Sequence, residues 1–147
     1  METLDPVDVL VIEDDMPIQR LLEHIVDRMG YSCVSAGDGV EGLVIIRRRD
    51  PRVVVLDLLL PRANGFEVLR HLRSTSPKLL ERIIIVTAAS DSTYAGCPEI
   101  SMTRGVIRKP IDIDMLATEI ETCHGLSAST PMPPGEPSRV SRLRREQ

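Results

Sequence analysis

Five short runs rich in β-branched and aliphatic residues recur along this chain: VDVLVI (7–12), SCVSA (32–36), VVVLDL (53–58), IIIVT (83–87) and GVIRK (105–109). The strongest of them are apolar at nearly every position instead of at alternate ones, so both faces of the strand must be covered. The segments between them carry helical periodicity. Ile18, Leu21, Leu22, Ile25, Val26 and Met29 fall on one helix face, which Gly30 ends at C′. VEGLVIIRRR (40–49) predicts a second helix, weakened by Gly42, with Pro51 beyond its end. FEVLRHLRS (66–74) predicts a third after a PRANG loop. Asp112 offers an N-cap for a last helix, with Ile113, Leu116, Ala117, Ile120 and Cys123 on its apolar face and Gly125 at its end. Only AASDSTYAGCPEISMTR (88–104) is poor helix material, because Gly96 and Pro98 interrupt it. Alternating units of this kind predict an α/β fold, a doubly wound five-stranded parallel sheet with helices on both faces.

Composition breaks after Gly125, so residues 1–125 are expected to form one domain and 126–147 a solvated, disordered tail. The tail holds four of the eleven prolines and, with four Arg against two Glu, a charge of +2. That leaves −6 on the body, which argues against a dedicated nucleic-acid binder. With no Trp, two Tyr and one Phe, platforms for stacking bases or flavins are largely lacking. No apolar run approaches the roughly 18 residues of a membrane span, and the acidic start METLDPVDVLVIEDD is unlike a secretory signal. Cys33, Cys97 and Cys123 are odd in number and widely spaced, which suits isolated thiols and a cytoplasmic location.

Asp57 is the anomaly, an acid inside VVVLDLLLP, where an unpartnered carboxylate is too expensive to bury. In an open doubly wound sheet, ligands bind beyond the carboxyl ends of the strands. Those ends here carry Glu13, Asp14 and Asp15, then Asp57, Thr87, and Lys109 followed by Pro110. Each has an ordinary explanation: acids after a strand often cap the next helix, Thr is common in strands, and Lys109 beside Arg108 reads as a solvated base. Together they suit a hard cation, because carboxylate oxygens hold magnesium alongside a phosphate. Asp57, ionised at neutral pH, can then attack a phosphoryl group without a general base, with Lys109 as a second cation and the Thr87 hydroxyl as a hydrogen-bond donor.

VLVIEDD, VVVLDLLLPRANG, IIIVTAA and VIRKPID, in this order and spacing, closely resemble the receiver domain of two-component response regulators over roughly residues 7 to 124. The resemblance implies a flavodoxin-like sheet in the order 2-1-3-4-5. It also implies that Asp57 is phosphorylated by a histidine kinase or histidine phosphotransfer protein with magnesium or manganese. Glu13 and Asp14 match the acidic pair, and the metal set is completed by Asp57 and the Leu59 backbone carbonyl. Thr87, Lys109 and the Ala88 backbone match the phosphoryl-binding groups, and Pro110 the residue after the lysine, usually cis.

Departures bear on output and on lifetime, and one is that the fourth-helix region, usually the output surface of the family, is broken here by Gly96 and Pro98. Receivers commonly carry Tyr or Phe three residues before the lysine, a ring that swings inward on phosphorylation; here that position is Val106, and no such swing is expected. Leu59 and Ala89, two beyond the acceptor and the hydroxyl, have no polar group to orient a water, which predicts a long-lived phosphoaspartate. A haloacid-dehalogenase-type phosphatase needs a second acid where Leu59 stands. A flavodoxin-like flavin site is opposed by the acids after the first strand. The rival is a receiver-like module that recognises a partner without phosphorylation. The expected protein is a stand-alone phosphoacceptor, not an enzyme, acting by protein contact or onward relay. Its 22-residue tail is too short for a DNA-binding helix-turn-helix unit.

Overall fold

A computed structural model describes residues 5–94 and 96–127. Strands β1 (Val9–Ile12), β2 (Cys33–Ala36), β3 (Val53–Leu56), β4 (Ile83–Thr87) and β5 (Gly105–Arg108) alternate with helices α1 (Met16–Arg28), α2 (Gly39–Arg49), α3 (Gly65–Thr75), α4 (Asp91–Tyr94) and α5 (Ile113–Ser127). All strand pairs are parallel, in the order β2-β1-β3-β4-β5 that the resemblance implies. The all-apolar strands divide their side chains between two cores. Val53, Val55, Ile84 and Val86 face Leu22, Val26, Leu116 and Ile120 of α1 and α5. Val54, Leu56, Ile83 and Ile85 face Ile46, Val68, Leu69 and Leu72 of α2 and α3. Burying both faces leaves only the two ends of the sheet for chemistry.

Helix starts follow the sequence closely. Asp15, Asp38 and Asn64 cap α1, α2 and α3 by accepting the N–H three residues on, and Asp112 accepts the Met115 N–H at 3.0 Å. Gly30 does follow α1 with a φ of 82°, as a C′ residue must. Three expectations need correction. Leu21 is 38% exposed, because it flanks the buried stripe of α1 on the solvent side, whereas Gln19 on the other flank is buried. Ile113 is half exposed at the very start of α5, before the helix reaches the sheet. Gly125 does not end α5, which continues to Ser127 with the Ser127 hydroxyl donating to the Cys123 carbonyl.

The described residues of 88–104 form the single turn of α4 and a 3₁₀ turn at Pro98–Met102, in keeping with Gly96 and Pro98. A further 3₁₀ turn at Pro77–Arg82, absent from the sequence reading, starts on a proline after α3. Arg73 of α3 reaches Glu99 at 3.3 Å and so ties the irregular segment to the body. All three cysteines are free thiols. Among the described residues no helix is long and apolar enough to cross a membrane. The predicted tail beyond Ser127 lies outside the described residues.

The far end of α5 is moored to the sheet by a polar cluster. His124 Nε2 lies 2.8 Å from Asp8 Oδ1, the Ser32 N–H donates to Asp8 Oδ2 at 2.8 Å, and Tyr31 stacks on the imidazole. Partial burial opposes ionisation of Asp8, but the bonds from His124 and Ser32 outweigh it and hold the carboxyl at about 2, below its ordinary 3.8. A depressed folded-state pKa stabilises the fold above the ordinary value, and that contribution disappears as pH falls toward 2. Asp8→Asn is therefore expected to cost about 1 kcal/mol near neutrality after allowance for solvent screening. The gap from wild type in urea unfolding should narrow between pH 5 and pH 2; a gap independent of pH would contradict the mooring.

Candidate functional site

The carboxyl ends of β1, β3, β4 and β5 bring the expected side chains together. Glu13 extends the β1–β2 ladder by one rung, its N–H donating to the Ala36 carbonyl at 3.0 Å, and its side chain is buried. Asp14 is exposed beside it, and Asp15 leaves the site to cap α1 by accepting the Ile18 N–H. The ordinary N-cap explanation thus belongs to Asp15 alone. Asp57 is the first residue past β3, anchored by its N–H to the Ile12 carbonyl at 3.1 Å.

The burial of Asp57 is made tolerable by two partners. Oδ1 accepts the Leu59 N–H at 3.1 Å, and Oδ2 lies 3.2 Å from Lys109 Nζ. The same ammonium sits 2.6 Å from Glu13 Oε1, so one lysine bridges two buried acids. Burial raises the Glu13 pKa and the nearby Asp57 charge adds to this, outweighing the bond from Lys109. Burial works against the Lys109 charge, yet Glu13 and Asp57 together outweigh it and raise the pKa of the ammonium. The lysine is therefore a fixed cation, and the acids a site short of positive charge.

Thr87 is fully buried, and its Oγ1 accepts the Ala89 N–H at 3.1 Å, which leaves the hydroxyl hydrogen available to donate. The Thr87 carbonyl accepts the Lys109 N–H at 2.9 Å, and the Lys109–Pro110 bond is cis as expected. Around this polar centre, Leu59 and Met16 are each 51% exposed and Ala89 is buried, so none offers a group to position water. Val106, half-buried in β5, packs against the α2–α3 core as an aliphatic filler.

One carboxylate oxygen from each of Glu13, Asp14 and Asp57 lies within 4.8 Å of the others. Three hard oxygen donors this close fit a small divalent cation such as magnesium. Two contributors escaped the sequence reading. Gln19 reaches the Glu13 carbonyl from α1, signalled only as a polar residue on the flank of an apolar stripe. Gly65 lets α3 start directly beneath Asp57, where a Cβ would meet the Asp57 carbonyl oxygen at 2.6 Å.

Comparison with known proteins agrees with this geometry. The probable transcriptional regulator ycf27 of Porphyridium aerugineum is 43% identical over 83 residues, 56% of this chain and 33% of that protein. Response regulator MprA of Mycobacterium sp. (strain KMS) is 44% identical over 87 residues, 59% of this chain and 36% of that protein. The aligned stretch is thus about a third of the length of these relatives. Among solved structures, the receiver domain of the sensor histidine kinase PA1611 from Pseudomonas aeruginosa PAO1 shares the fold with a TM-score of 0.72 at 20% identity, over 82% of this chain and 98% of that one. The model of the response regulator receiver domain matches residues 9–121, and the chain accordingly belongs to that family, the phosphate-accepting domains of two-component signalling.

Proposed function

We propose that Asp57 is the phosphoacceptor, and that it takes the phosphoryl group from a phosphohistidine of a histidine kinase or histidine phosphotransfer protein. The observation that carries this reading is the buried Asp57 carboxylate, bridged through Lys109 to Glu13 and clustered with Asp14. A carboxylate oxygen of Asp57 bonds to phosphorus while the phosphorus–nitrogen bond of the donor breaks, and the imidazole leaves with its electron pair. Lys109 holds a positive charge against the oxygens of the phosphoryl group, and Thr87 and the Ala88 N–H donate hydrogen bonds to them. Glu13, Asp14, Asp57 and the Leu59 carbonyl would hold the metal, magnesium or manganese. Bound there, the metal offsets the negative charge that gathers between carboxylate and phosphoryl group. The similarly folded PA1611 receiver carries a magnesium ion coordinated in its active site cleft, which supports the same use of this edge.

Output then runs through a partner protein or an onward histidine, from a cytoplasmic chain that does not itself bind DNA and has no catalytic turnover of its own. Val106 leaves no ring to swing, so the signal passes without the aromatic switch. The test is labelling by a small acyl phosphate, read as a phosphoryl increment in intact mass. Wild type with magnesium should label; wild type in chelator and Asp57→Asn should not. Absence of label in all three samples would favour a module that works without phosphorylation.

A further inference from the structure

Gln19 is a buried amide, 8% exposed, that the phosphoacceptor chemistry does not use. Its Nε2 donates to the Glu13 carbonyl at 2.8 Å and reaches the Ala36 carbonyl at 3.4 Å. Both neighbours are carbonyl oxygens, so only the NH₂ end of the amide can face them. Ala36 is the last residue of β2, and its carbonyl already accepts the Glu13 N–H. The amide therefore spans the seam where β1, β2 and α1 meet. It grips Glu13 by the backbone, whereas Lys109 grips the same residue by its carboxylate.

That grip matters because the turn from β1 to α1 is only Glu13, Asp14 and Asp15, and it has to aim two acids at Asp57. A buried side chain such as Glu13 has few rotamers with which to absorb a backbone shift. Magnesium tolerates little departure from octahedral geometry, and partners that orient its ligands typically change affinity by about 10–100-fold. We propose that Gln19 is a positioning residue for the metal end of the site: by joining the Glu13 and Ala36 carbonyls it holds Glu13 and Asp14 facing Asp57. The proposal rests on the reading of those three acids as metal ligands.

Gln19→Met keeps the length of the side chain and removes the donor; Gln19→Asn keeps an amide but withdraws it by one methylene. In both, magnesium titrated calorimetrically into metal-free protein should bind about tenfold more weakly. Amide hydrogen exchange at Glu13 should quicken in the same metal-free samples while the β4 amides keep their protection. In a Glu13→Gln background, replacing Gln19 should cost less magnesium affinity than in wild type, because only the placement of Asp14 is then left to lose. Wild-type affinity in both variants, or an undiminished loss in the Glu13→Gln background, overturns the positioning role. A wild type that takes up no magnesium overturns the ligand assignment itself, and the two failures are told apart by that one control.

Discussion

Lys109→Met is expected to destabilise the metal-free protein by about 2–3 kcal/mol and to slow phosphorylation of Asp57 on the order of a hundredfold. The stability loss comes from what is left behind. Glu13 and Asp57 have side chains only 2% and 7% exposed, and the ammonium between them is their shared counter-charge. Removing one partner of a buried ion pair strands the other, and here it strands two acids that already repel one another. The figure sits at the low end for buried pairs because the lysine side chain is itself 16% exposed. Urea unfolding in chelator reads the loss directly. Magnesium should shrink it, since a bound dication replaces the missing charge and binds the folded state alone. The slower phosphorylation follows from losing a donor aimed at the phosphoryl oxygens. A variant as stable as wild type in chelator would mean that the two acids have other partners.

Leu59→Gln is expected to shorten the life of the phosphoaspartate about tenfold, well short of what a true general base supplies. Hydrolysis requires a water held in line behind phosphorus, and the exposed Leu59 and Met16 and the buried Ala89 have no polar side-chain group to hold it. Leu59 is half exposed and its backbone N–H, not its side chain, supports Asp57. The substitution therefore leaves the acceptor in place and changes only the solvent side of the site. Label prepared with a small phosphodonor, freed of donor and followed by intact mass, gives both decay rates. Equal or slower decay in the variant would contradict the account of a site that stores its phosphate for want of an ordered water.

The gathering of side chains at the strand ends was legible because it depends on order along the chain. Glu13, Asp14, Asp57, Thr87 and Lys109 each sit where an apolar run stops, and a parallel sheet gathers all such stops at one edge. The two cores were legible for the same reason, since a run such as Val53–Leu56 has no polar face to expose. What escaped depends on three-dimensional neighbours. Nothing in IQRLLEHIV says that Gln19 faces the seam between strands while Leu21 faces water; both flank the same stripe. Helical spacing alone also overstated α5, whose first apolar residue is half exposed and whose Gly125 remains inside the helix. Gly65 looked like part of a loop, and its role follows from the closeness of the Asp57 carbonyl.

The rung between the Lys109 N–H and the Thr87 carbonyl has a mechanical consequence. The two residues that would grip a phosphoryl group stand on adjacent strands and are stitched to each other, so they travel as a pair. One of those strands, β5, is an edge strand of the sheet and is held along its length by a single row of hydrogen bonds to β4. Beside it, the connection from β4 is a turn of helix and a 3₁₀ turn in place of a long stiffening rod. A pull on either residue is thus shared by the other and passed to an edge of the sheet that has a neighbouring strand on one side only.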